Sequence, residues 1–160
     1  MADFEVVRST TIAAPAERVH GLIDDFRAWR AWSPWEDVDP ELRREYSGSE
    51  SGVGARYAWE GNRKAGKGNM EITGSTPERI DIRLTFEKPW KASNAVVFSL
   101  APGGDGATEV TWRMSGTSRG FAALFGKLFS MDRLVGKDFE KGLARMKAAA
   151  ESTEAAAPPA

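Results

Sequence analysis

The chain has 160 residues, with 22 Lys and Arg against 23 Asp and Glu, a net charge of −1, one histidine and no cysteine. That excludes a disulfide framework, a cysteine–zinc site, a thiol nucleophile and an iron–sulfur cluster, and one imidazole is too few for a multi-histidine metal centre. Near-balanced charge gives no basic footprint for a nucleic-acid backbone. What remains over is aromatic: eight Phe, six Trp and two Tyr.

Met-Ala-Asp-Phe-Glu puts acidic residues where a secretory signal needs basic ones, and no uncharged run approaches the roughly 20 residues that span a bilayer. The expected location is the cytoplasm. Residues 1–151 read as one domain, and 152–160, poor in apolar bulk and ending in prolines, as a flexible tail.

Phe4–Ile12 is β-branched and predicts a strand, followed at Pro15 by a residue suited to a first helical turn. Ala16–Asp25 predicts a short helix with Val19, Leu22, Ile23 and Phe26 on one stripe. A second short piece holds Trp29 and Trp32 on one face and ends before Pro34, which turns Trp35 elsewhere. Packing onto the sheet rim and lining a mouth or touching a membrane are the two readings of this triplet.

Strands follow at Arg43–Ser47, Ala55–Trp59, Lys67–Gly74, Arg79–Phe86, Lys91–Leu100 and Ala107–Thr117, with Pro102–Gly106 as a hairpin loop. Ile80, Ile82, Leu84 and Phe86 alternate with charged or hydroxyl residues, the pattern of an antiparallel sheet covered on one side. Gly120–Ser130 and Asp132–Ala150 return to helical period. The latter carries Leu134, Val135, Phe139, Leu143 and Met146 on its apolar stripe, and Lys137, Asp138, Glu140, Lys141, Arg145 and Lys147 opposite. Its Gly136 and Gly142 suit a close approach to the sheet or to a ligand. Seven strands must bury one face, and only the terminal helix is long enough to cover it. The space between a curved sheet and a straight helix is either filled core or a ligand cavity.

Gly61-Asn-Arg-Lys-Ala-Gly-Lys67 matches a phosphate loop up to its lysine, but Gly68 replaces the magnesium-binding hydroxyl and a strand follows where a helix is required. It reads as a basic hairpin loop. His20 reads as a boundary histidine with no partner nearby in sequence, and Asp24-Asp25 as a solvated helix end.

The order of elements, with Thr11-Ile-Ala-Ala-Pro15, Trp29–Trp35, Thr111–Thr117 and the string from Met131 to Lys147, resembles the START-like helix-grip superfamily. Its bacterial polyketide cyclase/dehydrase and lipid-transport branch, often labelled SRPBCC, is the nearest likeness. The resemblance implies an α+β helix-grip fold: a curved seven-stranded antiparallel sheet around a long C-terminal helix, with two short helices after strand 1. It also implies a cavity for a lipid or polyketide-like molecule and, in some members, cyclisation or dehydration there, but it carries no catalytic signature onto this chain.

Strand parity selects the lining: Tyr57, Trp59, Met70, Ile72, Ile82, Leu84, Phe86, Val96, Phe98, Trp112 and Met114, with Asn94 as the clearest inward polar side chain. Phe125, Phe129 and Phe139 face them from the helices. The apolar segment from Phe121 to Met131 reads as a lid, or as a patch for dimerisation or transient membrane contact. Glu71, Asp81, Arg83, Glu109 and Arg113 fall on the wet face, so no acid–base pair meets a substrate and no catalytic or metal-binding residue is assigned. Tyr57 is at most a weak acid. The expected function is binding, transport or sensing of a small hydrophobic ligand without a cofactor or nucleic acid. A cyclase/dehydratase-type enzyme and a membrane or partner interaction module stay open as alternatives.

Overall fold

The computed structural model describes residues 4–35, 41–62, 66–88, 91–116 and 131–156. Strand β1 (Phe4–Ile12) leads into helix α1 (Ala16–Ile23) and a 3-10 helix (Phe26–Ala31). Six strands follow: β2 (Arg43–Gly48), β3 (Ala55–Glu60), β4 (Lys67–Thr76), β5 (Arg79–Lys88), β6 (Ala92–Gly104) and β7 (Ala107–Gly116). Helix α2 (Met131–Ala156) ends the described chain. The predicted helix over 120–130, with Phe125 and Phe129, lies outside the described residues.

All seven strands form one antiparallel sheet in the order β1-β7-β6-β5-β4-β3-β2. Strands β2 to β7 meander, whereas β1 and β2 occupy opposite edges. The chain between those edges must cross the sheet, and α1 with the 3-10 helix makes that crossing, which brings Phe26, Trp29 and Trp32 over the inner face. The predicted α+β helix-grip architecture is the observed one.

Most elements end within two residues of their expected bounds, and two segments depart further. Strand β6 runs through Pro102 and Gly103 to Gly104, with a register shift between Pro102 and Gly104, so the predicted five-residue loop shrinks to a turn at Asp105–Gly106. Gly104, Asp105 and Gly106 all have positive φ, which lets the turn close in two residues. Helix α2 continues to Ala156, into the stretch that the composition assigns to a tail, because Ala155 and Ala156 are strong helix formers ahead of the prolines.

Helix α2 packs chiefly along β1 and against α1 and the 3-10 helix. Phe139, Leu143, Met146 and Ala150 are buried on its apolar stripe. Polar contacts tie its other side to the same edge. Arg8 Nε donates to Glu140 Oε2 at 2.8 Å, Lys147 Nζ to Thr11 O at 3.1 Å, and Ala13 N to Glu151 Oε2 at 2.9 Å. Both glycines of α2 sit at close approaches: a Cβ on Gly142 would lie 2.9 Å from Trp112 Cζ3 and from Pro34 Cδ, and one on Gly136 would strike the Arg8 guanidinium.

Candidate ligand-binding site

The inner face is a grid of rows set by register. Tyr57, Met70, Leu84 and Asn94 form one row across β3 to β6, and Ile72, Ile82, Val96, Met114 and Val6 the next across β4 to β1. Ile80, Phe98, Trp112 and Arg8 make a third, and Trp59, Gly68 and Phe86 flank the first on its other side. Strand parity therefore puts every described candidate from β3 to β7 on the same surface. Phe139 reaches that surface from α2.

The two ends of the grid differ. In the third row Phe98 and Trp112 are sealed, stacked on each other at 5.0 Å between ring centroids, with Trp32 edge-on to both and Trp35 edge-on to Trp112 and Phe139. Phe139 closes Trp112 from above. The interval between sheet and helix here is filled core. Trp29 and Trp32 are thus buried beneath the crossing, and their indole Nε1 groups donate to Ile23 O and Leu22 O, both at 2.7 Å. Those carbonyls end α1 and have no helical partner of their own, so the two tryptophans cap the helix that precedes them.

At the other end Trp59, Leu84 and Phe86 are only half-buried. The Trp59 ring lies across the backbone of Gly68, where a Cβ would come within 2.6 Å of its Cη2, and stacks on Tyr57 at 6.0 Å and edge-on to Phe86 at 5.8 Å. Tyr57 packs in turn, with tilted rings, against Tyr46 and Phe26. The result is an aromatic and aliphatic surface bordered by Asn94, which is 4% exposed. Neither Nδ2 nor Oδ1 of Asn94 has a hydrogen-bond partner among the described residues, and the same holds for Trp112 Nε1 in the sealed end.

Parity holds for the charged residues of the inner strands: Arg83 pairs with Glu71, Arg79 with Asp81 and Arg113 with Glu5, all on the wet face. The edge strands add two arginines that the central-strand pattern does not cover. Arg8 on β1 and Arg44 on β2 have inward parity, opposite Trp112 and Trp59. Long side chains at a sheet edge carry their charge outward past the apolar surface, as Arg8 does to Glu140. A depression of about 570 Å³ opens on the wet face, lined by Asp81, Arg83, Ser93, Ala95, Val97 and Ser115 among others. Ile82, Asn94 and Val96, which have inward parity on the same strands, also border it.

His20 is half-buried, as expected of a boundary histidine, but the expectation that it has no partner nearby in sequence is corrected. Asp24, one turn on, stands with Oδ2 3.4 Å from Nδ1, and Nε2 is 2.9 Å from Thr76 O and 3.3 Å from Ser75 Oγ. Two of these partners come from the β4–β5 hairpin, 55 and 56 positions away, where no local pattern reveals them. Asp24 is accordingly half-buried and its carboxyl is raised above the usual range, by desolvation against a smaller opposing effect of His20. Asp25 instead accepts from Arg27 N at 3.0 Å and caps the 3-10 helix. Ser75, His20 and Asp24 resemble a nucleophile–base–carboxylate set, but a carbonyl only accepts. Nε2 therefore carries a hydrogen for Thr76 O and cannot take the Ser75 proton. The group fastens α1 to the hairpin.

Asp138, expected on the wet stripe of α2, is half-buried and bonded to the Trp35 side chain; burial raises its carboxyl despite that bond. After Gly61–Gly66, β4 begins at Lys67, so the phosphate-loop likeness ends in a strand. Among the described residues no three His, Cys, Asp or Glu side chains are grouped to hold a metal, and no helix is long and apolar enough to cross a membrane.

A seven-stranded antiparallel sheet carrying a long C-terminal helix, with an inner face sealed at one end and apolar and half-open at the other, defines a helix-grip protein of the START-like kind. The model of the polyketide cyclase / dehydrase and lipid transport family matches residues 3–151, and the chain belongs to that family. Among solved structures it is similar to a protein from Helicobacter pylori, at 11% identity and TM-score 0.70 over 93% of this chain and 89% of that one. A protein from Chromobacterium violaceum has 17% identity and TM-score 0.65 over 92% and 97%. The Aha1 dimer from Colwellia psychrerythraea has 16% identity and TM-score 0.65 over 92% and 96%. At these identities the likeness is one of fold. No curated protein matches the chain.

Proposed function

We propose that this protein binds a small hydrophobic ligand, lipid or polyketide-like, on the inner face of the sheet at the β3–β5 end, and carries or senses it in the cytoplasm without a cofactor. The observation that supports this is the half-exposure of Trp59, Leu84 and Phe86 beside a face whose other end is sealed. Apolar side chains left partly uncovered inside a fold gain when a ligand completes their burial. At about 25 cal/mol per Å², burying some 300 Å² of ligand would contribute roughly 7 kcal/mol before association costs, which permits micromolar binding without a charged contact. Phe98, Trp112 and Phe139 support the site from behind, as part of the packed core, and Tyr57, Met70, Ile82, Val96 and Met114 form its floor.

Titration with N-phenyl-1-naphthylamine, an uncharged dye that brightens in apolar surroundings, tests the proposal. One saturable site is expected, lost in Leu84→Asp with the circular dichroism unchanged. No saturable brightening, or brightening that Leu84→Asp leaves intact, contradicts it.

A further inference from the structure

Asn94 carries the one carboxamide in its row, where the other polar group is the Tyr57 hydroxyl on β3, three strands away. Its neighbours there are Leu84 and, beyond it, Met70 and Tyr57; Val96 is the next inward residue on its own strand. It is 4% exposed, and both ends of its carboxamide lack a partner among the described residues. Withdrawing a carboxamide from water without replacing its hydrogen bonds is costly, whereas leucine, of similar size, would carry no such cost at this position. Nearly all buried polar groups in proteins are satisfied, so a pair of unmet bonds on one side chain calls for a partner.

We infer that Asn94 recognises the polar end of the ligand, and that this end is an uncharged group that both donates and accepts a hydrogen bond, such as a hydroxyl. The inference rests on the ligand-binding reading above and deepens it. Nδ2 offers a donor and Oδ1 an acceptor side by side, and a hydroxyl engages one or both. An ionised group is disfavoured by the surroundings. Arg83, Glu71, Asp81 and Arg113 lie on the far face, Arg8 is engaged by Glu140 two rows away, and Arg44 is on β2, four strands from β6. Without a countercharge among the described residues, desolvating an ion here would cost more than one carboxamide returns. Trp59, Leu84 and Phe86 then take the apolar body of the same molecule. The site therefore discriminates among ligands of one shape by their polar terminus.

The test compares 1-naphthol with 1-methylnaphthalene, a pair alike in shape and different in hydrogen bonding, by quenching of tryptophan fluorescence in the wild type and in Asn94→Leu. Because the methyl compound leaves water more readily, the quantity read is the change in the ratio of the two Kd values between proteins. The expected result is a loss of about tenfold of naphthol preference in Asn94→Leu, with 1-methylnaphthalene bound at least as tightly and a melting temperature no lower than the wild type's. Asn94→Val serves the same comparison if leucine's branching is not accommodated. An unchanged ratio overturns the inference while leaving the ligand-binding reading standing. Binding of neither probe to the wild type overturns both. A marked fall in melting temperature in both variants overturns the inference alone, since it would mean that the carboxamide already holds the fold together.

Discussion

Trp112 on β7 and Phe139 on α2 lie face to face, with ring centroids 4.0 Å apart and planes within 6°. The contact joins the long helix to the sheet, and both residues are sealed from solvent. Phe139→Ala would empty that space and is expected to cost about 3–5 kcal/mol, with Phe139→Leu costing far less because it keeps most of the volume. Urea midpoints of the two variants check this. A loss below about 1 kcal/mol for the alanine would mean that α2 is anchored elsewhere.

Two glycine substitutions should have opposite signs. Gly21 is exposed within α1, and a methyl group added there would meet nothing within 4 Å, so Gly21→Ala is expected to raise stability by up to about 1 kcal/mol. In Gly142→Ala the same helical gain is outweighed, because the methyl would meet Trp112 and the ring of Pro34 at 2.9 Å and push α2 off the sheet. Thermal melts of the pair should move up for the first and down for the second.

The hydrogen bond from Trp32 Nε1 to Leu22 O can be separated from packing by comparing two tryptophans. Trp32→Phe and Trp112→Phe remove the same atoms from sealed sites, but only the first strips a partner from a carbonyl. Trp32→Phe is expected to be the more destabilising, by about 1–3 kcal/mol. Equal losses in chemical denaturation would remove the capping role assigned to the indole.

Much of this site is legible in the sequence because side-chain direction in a strand has a period of two. That rule alone places Tyr57, Met70, Leu84 and Asn94 on one surface and Arg83 on the other. It cannot say that Phe98 and Trp112 are closed over while Trp59 is not. That depends on where the crossing between β1 and β2 lays Trp29 and Trp32, a tertiary fact with no local signal. His20 is a similar case. Its spacing from Asp24 is visible as one helical turn, but the hairpin carbonyl that fixes its role lies 56 positions away. The edge arginines are hidden for a simpler reason: Arg8 and Arg44 come into view only when the same parity is extended from the central strands to β1 and β2.

Acid titration should expose the half-buried carboxylate beside His20. The Asp24 carboxyl is raised above 3.8 by desolvation, so the folded state binds its proton more readily than the unfolded state does. Its contribution is unfavourable above the folded pKa and is relieved as pH falls through that value. Asp24→Asn should therefore compare best with the wild type at neutral pH and lose ground as pH drops toward 4. Glu151, lowered by Lys147 and by Ala13 N, acts oppositely in both proteins and cancels in the comparison. Urea midpoints at neutral pH and near pH 4 measure the difference, and a gap that stays constant or widens in favour of the variant contradicts the assignment.

The central claim is that a ligand sits on the inner face beside Trp59, Leu84 and Asn94, and methionine methyl resonances report on that place directly. Met70 lies in the row of Leu84 and Asn94, whereas Met146 is fully buried on α2. With carbon-13 methyl methionine and added 1-naphthol, the Met70 methyl should shift and saturate with the binding curve while Met146 stays in place. A Met70 methyl that does not move when the ligand binds, or a shift confined to Met146, would contradict the claim.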